Sequence, residues 1–233
     1  MTTSLIGSDG CRAGWICVQS QGEHVDAWIS STFEEVLARA SPSAFIGVDI
    51  PIGLPESGSR TCDREARQIL GRPRGSSVFS APVRRVLMVD DYARACEVHR
   101  SVDGRAITKQ CFNLLPKIRE LDALLRGDPE CRRRVFEIHP EISFALWHHG
   151  VPMQANKKTQ AGQQERLALI ETKWPGVVSK LRSQLPKAGY GVDDLHDAIA
   201  ALWSIGRHHR GESKPIPDMD QRDAYGLQMR IIG

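Results

Sequence analysis

The chain has 233 residues, 41% of them hydrophobic and 25% charged, with a formal net charge of +3 and a pI near 8.6. That length fits one large domain, or one domain with an insertion. The mild positive charge permits a nucleic-acid partner but falls short of a dedicated DNA-binding domain, and no apolar run reaches the roughly 18 residues of a membrane span.

The first residues, M-T-T-S-L-I-G, lack the charged and apolar regions of a signal peptide and lead straight into a strand pattern. Residues 4–9 read as a first strand, Trp15–Val18 as a second and Val25–Ile29 as a third, spaced as an antiparallel meander. Ser31 and Glu34 form a capping-box pattern that starts a helix running to about Ala40. Phe45–Asp49 is a short apolar strand ending in a carboxylate, as in a buried parallel strand. From Pro51 to Pro82 the chain is rich in Gly, Pro, Ser and Arg, with one short helix at Thr61–Leu70 ended by Gly71. Helices are expected near Asp91–Arg100 and Thr108–Arg126, the second kinked or divided by Pro116.

Arg134–Ile138 is the next strand, preceded by a solvated basic run at Arg132–Arg134. Pro140 favours a helix start immediately after it, with His139 held extended before the proline. Helices near Gln160–Lys173 and Asp193–His208 follow, and a short last strand lies within Leu227–Ile232. The expected architecture is therefore α/β: a single domain over residues 1–233, with a loop and helical insertion at about 51–130. Its mixed five-stranded sheet has strands 1–3 antiparallel, strands 1, 4 and 5 parallel, and helices on both faces, which is the ribonuclease-H-like order. Six cysteines show no C-x-x-C pair and read as reduced packing thiols of a cytoplasmic protein, with zinc ligation as the alternative.

Acidic residues recur where such a sheet delivers side chains to one rim. Asp9 follows the first strand pattern and Asp49 ends the fourth; Glu137 and Glu141 belong to V-F-E-I-H-P-E, and Asp194 and Asp197 to D-D-L-H-D-A. Converging carboxylates suit a hard divalent cation, and ligands of open α/β sheets gather beyond the carboxyl ends of the strands. Each acid also has a plainer reading. Asp9 precedes Gly10 as an Asx turn would, Asp49 could merely end its strand, and Glu141 suits a helix first turn. Glu137 lies within a strand, where a buried carboxylate needs a partner or a metal. Asp194 and Asp197 lie roughly 60° apart at the edge of their helix's apolar stripe, taking about 100° per residue. They could instead serve as N-terminal acids, a role Asp193 fills alone.

Basic residues near these motifs are candidate phosphate ligands: Arg60, Arg64 and Arg67 after Asp49, and Lys157, Lys158 and Arg166 before the last helix. The alternative for each is a solvated or salt-bridged surface cation. His139 and His196 adjoin the acids and suit either proton transfer or a structural hydrogen bond. The five tryptophans read as core or rim, since no alternating aromatic-basic platform for single strands occurs.

The ordered set D-G-C-R-A-G-W (Asp9–Trp15), D-I-P-I-G-L-P (Asp49–Pro55), R-x-C-D-x-x-A-R (Arg60–Arg67), S-S-V-F-x-x-P (Ser76–Pro82), F-E-I-H-P-E (Phe136–Glu141), K-K-T-x-x-G (Lys157–Gly162) and D-D-L-H-D-A (Asp193–Ala198) spans nearly the whole chain. It resembles the family called domain of unknown function 429, described as predicted ribonuclease-H-like nucleases. Asp9, Asp49, Asp194 and Asp197 also look like the acids of Holliday-junction resolvases, a pattern from which Glu137 and Glu141 depart.

The resemblance implies a metal-dependent nuclease or phosphodiesterase acting on a nucleic acid or nucleotide. Asp9 would bridge two Mg²⁺ or Mn²⁺ ions, Asp49 and Asp197 would hold them from the sides, and Glu141 or Glu137 would be a fourth ligand or a water-orienting base. The alternatives are a non-catalytic nucleotide- or nucleic-acid-binding module of the same fold and an actin-like-fold phosphotransferase, which usually needs a second domain. Oligomeric state has no signature in the sequence.

Overall fold

The computed structural model describes residues 3–233; Met1 and Thr2, on which the reading of the N-terminus partly rests, lie outside the described residues. Strands β1 (Leu5–Cys11), β2 (Gly14–Gln21), β3 (His24–Ser30), β4 (Phe45–Val48) and β5 (Val135–Glu137) form one sheet in the order β3-β2-β1-β4-β5. β1 runs antiparallel to β2, β2 antiparallel to β3, and β1, β4 and β5 are parallel. This is the order expected from the sequence.

Alternation along the strands sorts side chains to two faces. Ile6, Trp15, Cys17, Trp28, Ile46, Val48 and Val135 point to one face. There they meet α1 (Phe33–Arg39), α3 (Tyr92–Asp103) and α4 (Lys109–Gly127). Ile16, Val18, Val25 and Ala27 point to the other. That face is covered by α6 (Pro140–Trp147), α7 (Gln160–Lys173), α8 (Val177–Gln184) and α9 (Val192–His209). Residues between β4 and β5, such as Leu54, Val83, Leu115 and Ile118, share the first core with the sheet. All six cysteines are buried and free, in keeping with packing thiols.

Several local expectations need correction. Thr32, not Ser31, caps α1, because its side chain accepts from Glu35 N while the Glu35 carboxylate accepts from Ser31 N at 2.8 Å. The box is displaced by one residue. α2 (Thr61–Arg74) is regular up to Leu70, breaks at Gly71 (φ 55°), and then makes one more turn. Pro116 does not divide α4, since only the bond from its missing N–H is lost. Two helices escaped the sequence reading: α5 (Pro129–Arg134), which absorbs the Arg132–Arg134 run, and α8. The last strand shrinks to β7 (Ile231–Ile232), paired with β6 (Pro215–Ile216).

Gly7 and Gly47 are partners across the β1/β4 ladder and both face α9. A Cβ on Gly7 would overlap the Ala198 carbonyl and the Leu202 backbone nitrogen, and one on Gly47 would lie 2.8 Å from the Ile138 side chain and 3.1 Å from the Ala201 carbonyl. These two missing side chains let α9 settle directly on the centre of the sheet. Gly7→Ala should therefore lift the helix, cost about 1–3 kcal/mol as overpacking does, and weaken metal binding, read from thermal melts with and without Mn²⁺. An unchanged melting temperature would contradict this account of the close approach.

Candidate metal centre

Asp9 lies two residues beyond Gly7 on β1, and Asp49 two residues beyond Gly47 at the end of β4, so both point to the α9 face. The Asp49 backbone N–H still donates to Ser8 at 3.0 Å, which holds it in the ladder. Asp197 sits on α9 one residue before Ala198, whose carbonyl covers Gly7. The three meet: one carboxylate oxygen from each of Asp9, Asp49 and Asp197 lies within 4.8 Å of the others. Asp9 is 7% exposed and Asp197 fully buried, while Asp49 keeps partial access to solvent.

Asp9 and Asp49 line a cleft of about 800 Å³ at the carboxyl ends of β1 and β4, with the buried Asp197 against them. Its walls come from the turn after α2 (Arg74, Ser76, Ser77, Phe79), one side of α4 (Gln110, Asn113, Leu114), the start of α6 (His139–Glu141) and the 156–158 segment. Burial, and then the mutual repulsion of the acids, raises their pKa values. Asp9 is pushed well above the usual carboxylate range by desolvation and by Asp49 and Asp197. Desolvation and Asp197 push Asp49 to about 8, and Asp197 reaches about 6 despite the lysine beside it. That lysine is Lys157, whose ammonium pairs with Asp197. Against its own desolvation, Asp197, Asp9 and Asp49 raise the Lys157 pKa and keep it charged.

The remaining expected site residues separate. Glu141 lines the cleft, with one oxygen paired to Arg166 and Oε2 buried without a partner among the described residues. Asp194 lines the cleft rim but its carboxylate accepts from Gly191 N at 2.7 Å, so it, rather than Asp193, closes the helix start. Lys158 lines the cleft beside Lys157. Glu137 is turned away: it pairs with Arg60 at 2.7 Å and accepts from Ile52 N at 2.6 Å.

None of the four expected arginines lines the cleft. All three nitrogens of Arg60 are engaged, by Asp63, Glu137 and the Ile52 carbonyl, and the residue is 3% exposed. Arg166 is 1% exposed and bonded to Glu141 and the Gly162 carbonyl. Arg67 ties the Val78 carbonyl and Ser80 across the loop. Arg64 is exposed, bonded to Ser59 and Thr61, outside the cleft lining. The sequence offered charge and order but not these partners. His139 lines the cleft with Nδ1 unpartnered among the described residues, and desolvation lowers its pKa to about 4, so it is a neutral imidazole. His196 is 2% exposed in the core behind it. Arg74, Phe79, Gln110 and Asn113 were missed, because only the fold brings α2, its following turn and α4 opposite the acids.

An α/β protein with a mixed five-stranded sheet and an acidic cluster at its rim is thus defined. Residues 7–222 match the model of the family described as protein of unknown function DUF429, and the chain belongs to that family. No curated protein and no solved structure matches it. No helix among the described residues is long and apolar enough to cross a membrane.

The acids also predict a pH effect. Asp49 ionises near pH 4 in the unfolded chain but only at about 8 in the folded one. The folded state binds more protons between these values, so this group's contribution to stability falls as pH rises from about 4 to about 8. Asp49→Asn should accordingly raise the melting temperature of metal-free protein more at pH 8 than at pH 5. An equal shift at both would contradict the assigned repulsion.

Proposed function

We propose that the cleft is the active site of a metal-dependent phosphodiesterase acting on a nucleic acid or nucleotide. The observation behind this reading is the convergence of Asp9, Asp49 and Asp197 from two parallel strands and the covering helix. Hard carboxylate oxygens are the donors that Mg²⁺ and Mn²⁺ select. The buried Asp197 Oδ1 and Glu141 Oε2, both without a hydrogen-bond partner among the described residues, leave acceptor capacity that an ion fits. Divalent ions held by Asp9, Asp49 and Asp197 would supply an activated water and charge stabilisation of the leaving oxygen.

The side chains divide the remaining work. Asp9, within reach of both other carboxylates, would hold an ion together with them. Lys157 offsets one of the three negative charges through its pair with Asp197 and, where ions took that role, would be free to face a phosphate. Lys158 adds positive charge at the rim. Glu141 Oε2 or the neutral His139 ring accepts the proton of the attacking water, each having a free acceptor or an unpartnered nitrogen. Three ionised aspartates against one lysine leave a net charge of −2, matching one divalent ion; a second would leave an excess of +2, of which the single charge of a phosphodiester offsets one.

The Lys157–Asp197 pair also favours a second reading, a binding module whose acids are tied internally and need no ion. One experiment separates these from a phosphotransferase. The active-site reading expects Mn²⁺ binding and hydrolysis of a phosphodiester. A phosphotransferase consumes ATP instead, and a binding module does neither. Absence of Mn²⁺-dependent hydrolysis across nucleotide, single-stranded and duplex substrates would overturn the hydrolase.

A further inference from the structure

Asp9 and Asp49 line only part of the cleft. Its outer wall is built differently, from an aromatic ring, an amide pair and two cations. Gln110 and Asn113 stand one helical turn apart on α4 and so share a face. Their side chains make no hydrogen bond among the described residues, and both line the cleft. The same stripe continues through Leu114 to Lys117, whose stem lies against Gly10, next to Asp9; a Cβ there would lie 2.7 Å from Lys117 Cδ. Lys117 and Asp9 lie on opposite faces of β1, and the cleft opens at the strand end where those faces meet, lined by Gln110, Asn113 and Leu114 together with Asp9 and Asp49. Across from α4, Phe79 presents a half-buried ring, and Arg74 contributes a guanidinium whose buried Nε has no partner among the described residues. Lys158 completes the rim.

Each group has a counterpart in a nucleotide. Asn and Gln amides match the donor-acceptor edges of bases, aromatic rings stack on unstacked bases, and arginine forks grip phosphate. The volume, about 800 Å³, is that of a small-molecule site. The fully buried Asp197 and nearly buried Asp9 require the reacting phosphate to enter deeply. A stacked duplex offers neither a free base nor a phosphate that projects that far.

We propose that the outer cleft is a nucleoside subsite, the base lying against Phe79 and Leu114 and read by Gln110 and Asn113, with Arg74 and Lys158 on a phosphate flanking the reacting one. The substrate is then a nucleotide unit, free or in a single strand, rather than an intact duplex. This deepens the phosphodiesterase reading and rests on it for the reacting phosphate.

The test is equilibrium binding of thymidylyl-thymidine, a short thymidine oligonucleotide, a duplex and base-free dimethyl phosphate, with and without Ca²⁺ in place of Mn²⁺ to prevent turnover. The dinucleotide and the single strand should bind about tenfold or more tightly than dimethyl phosphate, and more tightly than the duplex. Combined Gln110→Ala and Asn113→Ala should remove about tenfold of that. Phe79→Leu, which keeps apolar volume but loses the ring, should weaken it by a similar factor. Mn²⁺ titration of these variants should match the parent. Equal affinity with and without a base, preference for the duplex, or indifference to the variants would overturn the subsite even where Mn²⁺-dependent hydrolysis stands. A flat Mn²⁺ titration in the parent would instead remove the metal centre, while the metal-free arm still decides on the base. A strand binding tighter than the dinucleotide marks a polymeric substrate, and equal affinity a free one.

Discussion

Asp9→Asn should eliminate metal-dependent phosphodiester hydrolysis without loosening the fold. Asp9 lies within reach of both other acids, and removing its charge deprives the cluster of one of three ligands. Outer-shell partners of metal ligands typically cost 10–100-fold when lost, so a direct ligand should cost at least about 100-fold in Mn²⁺ affinity or turnover. Stability should move the opposite way. The Asp9 carboxylate is desolvated and repelled by Asp49 and Asp197, and the amide is spared both. Its Oδ1 still accepts from Gly10 N, a bond of 2.7 Å in the parent. The metal-free variant should melt at or above the parent temperature at pH 8. Such an opposition of activity and stability is expected of a site whose function needs strained charge. Retained activity would remove Asp9 from the chemistry, and a lower melting temperature would make it a structural residue.

Arg60→Ala should have the largest effect on stability. It leaves Asp63 (1% exposed) and Glu137 (6% exposed) buried without their cation. Breaking a buried ion pair from one side costs about 3–5 kcal/mol. At about 2–4 °C per kcal/mol for a chain of this size, the melting temperature should fall by roughly 6–20 °C. Urea unfolding should show a lower midpoint at unchanged slope. Metal binding should weaken as well, since Arg60 holds the Ile52 carbonyl and Glu137 the Ile52 N–H, three residues beyond Asp49. Arg64→Ala, at an exposed side chain, should shift stability by less than about 0.5 kcal/mol. If the two substitutions were equivalent, Arg60 would not be the tie assigned to it.

Local signals made much of this legible in the sequence. Asp9 and Asp49 were readable because strand period and a following glycine or proline mark rim positions, and Asp197 because helical spacing put it at the edge of an apolar stripe. The strand order followed from segment lengths and turn residues. Two kinds of information were not local. Gly7 and Gly47 look unremarkable in sequence, yet their pairing across the ladder sets the height of α9 and thereby brings Asp197 to the strands. Glu137 looked like a ligand because a buried strand carboxylate needs a partner, but that partner is Arg60, 77 positions away. The same burial logic that raised Glu137 as a candidate thus resolves it as an ion pair. The outer wall of the cleft was invisible for a related reason, since exposed amides on α4 gain meaning only from what lies opposite.

The Lys157 ammonium stands where the competition between internal and external cations is decided, because it pairs with Asp197 and raises its own charge stability from all three aspartates. Anomalous scattering from crystals soaked in Mn²⁺ addresses that competition directly. Manganese should be bound by carboxylate oxygens of Asp9, Asp49 and Asp197, with the lysine displaced from Asp197. Manganese held elsewhere, or no manganese and a lysine still seated on Asp197, would contradict that expectation.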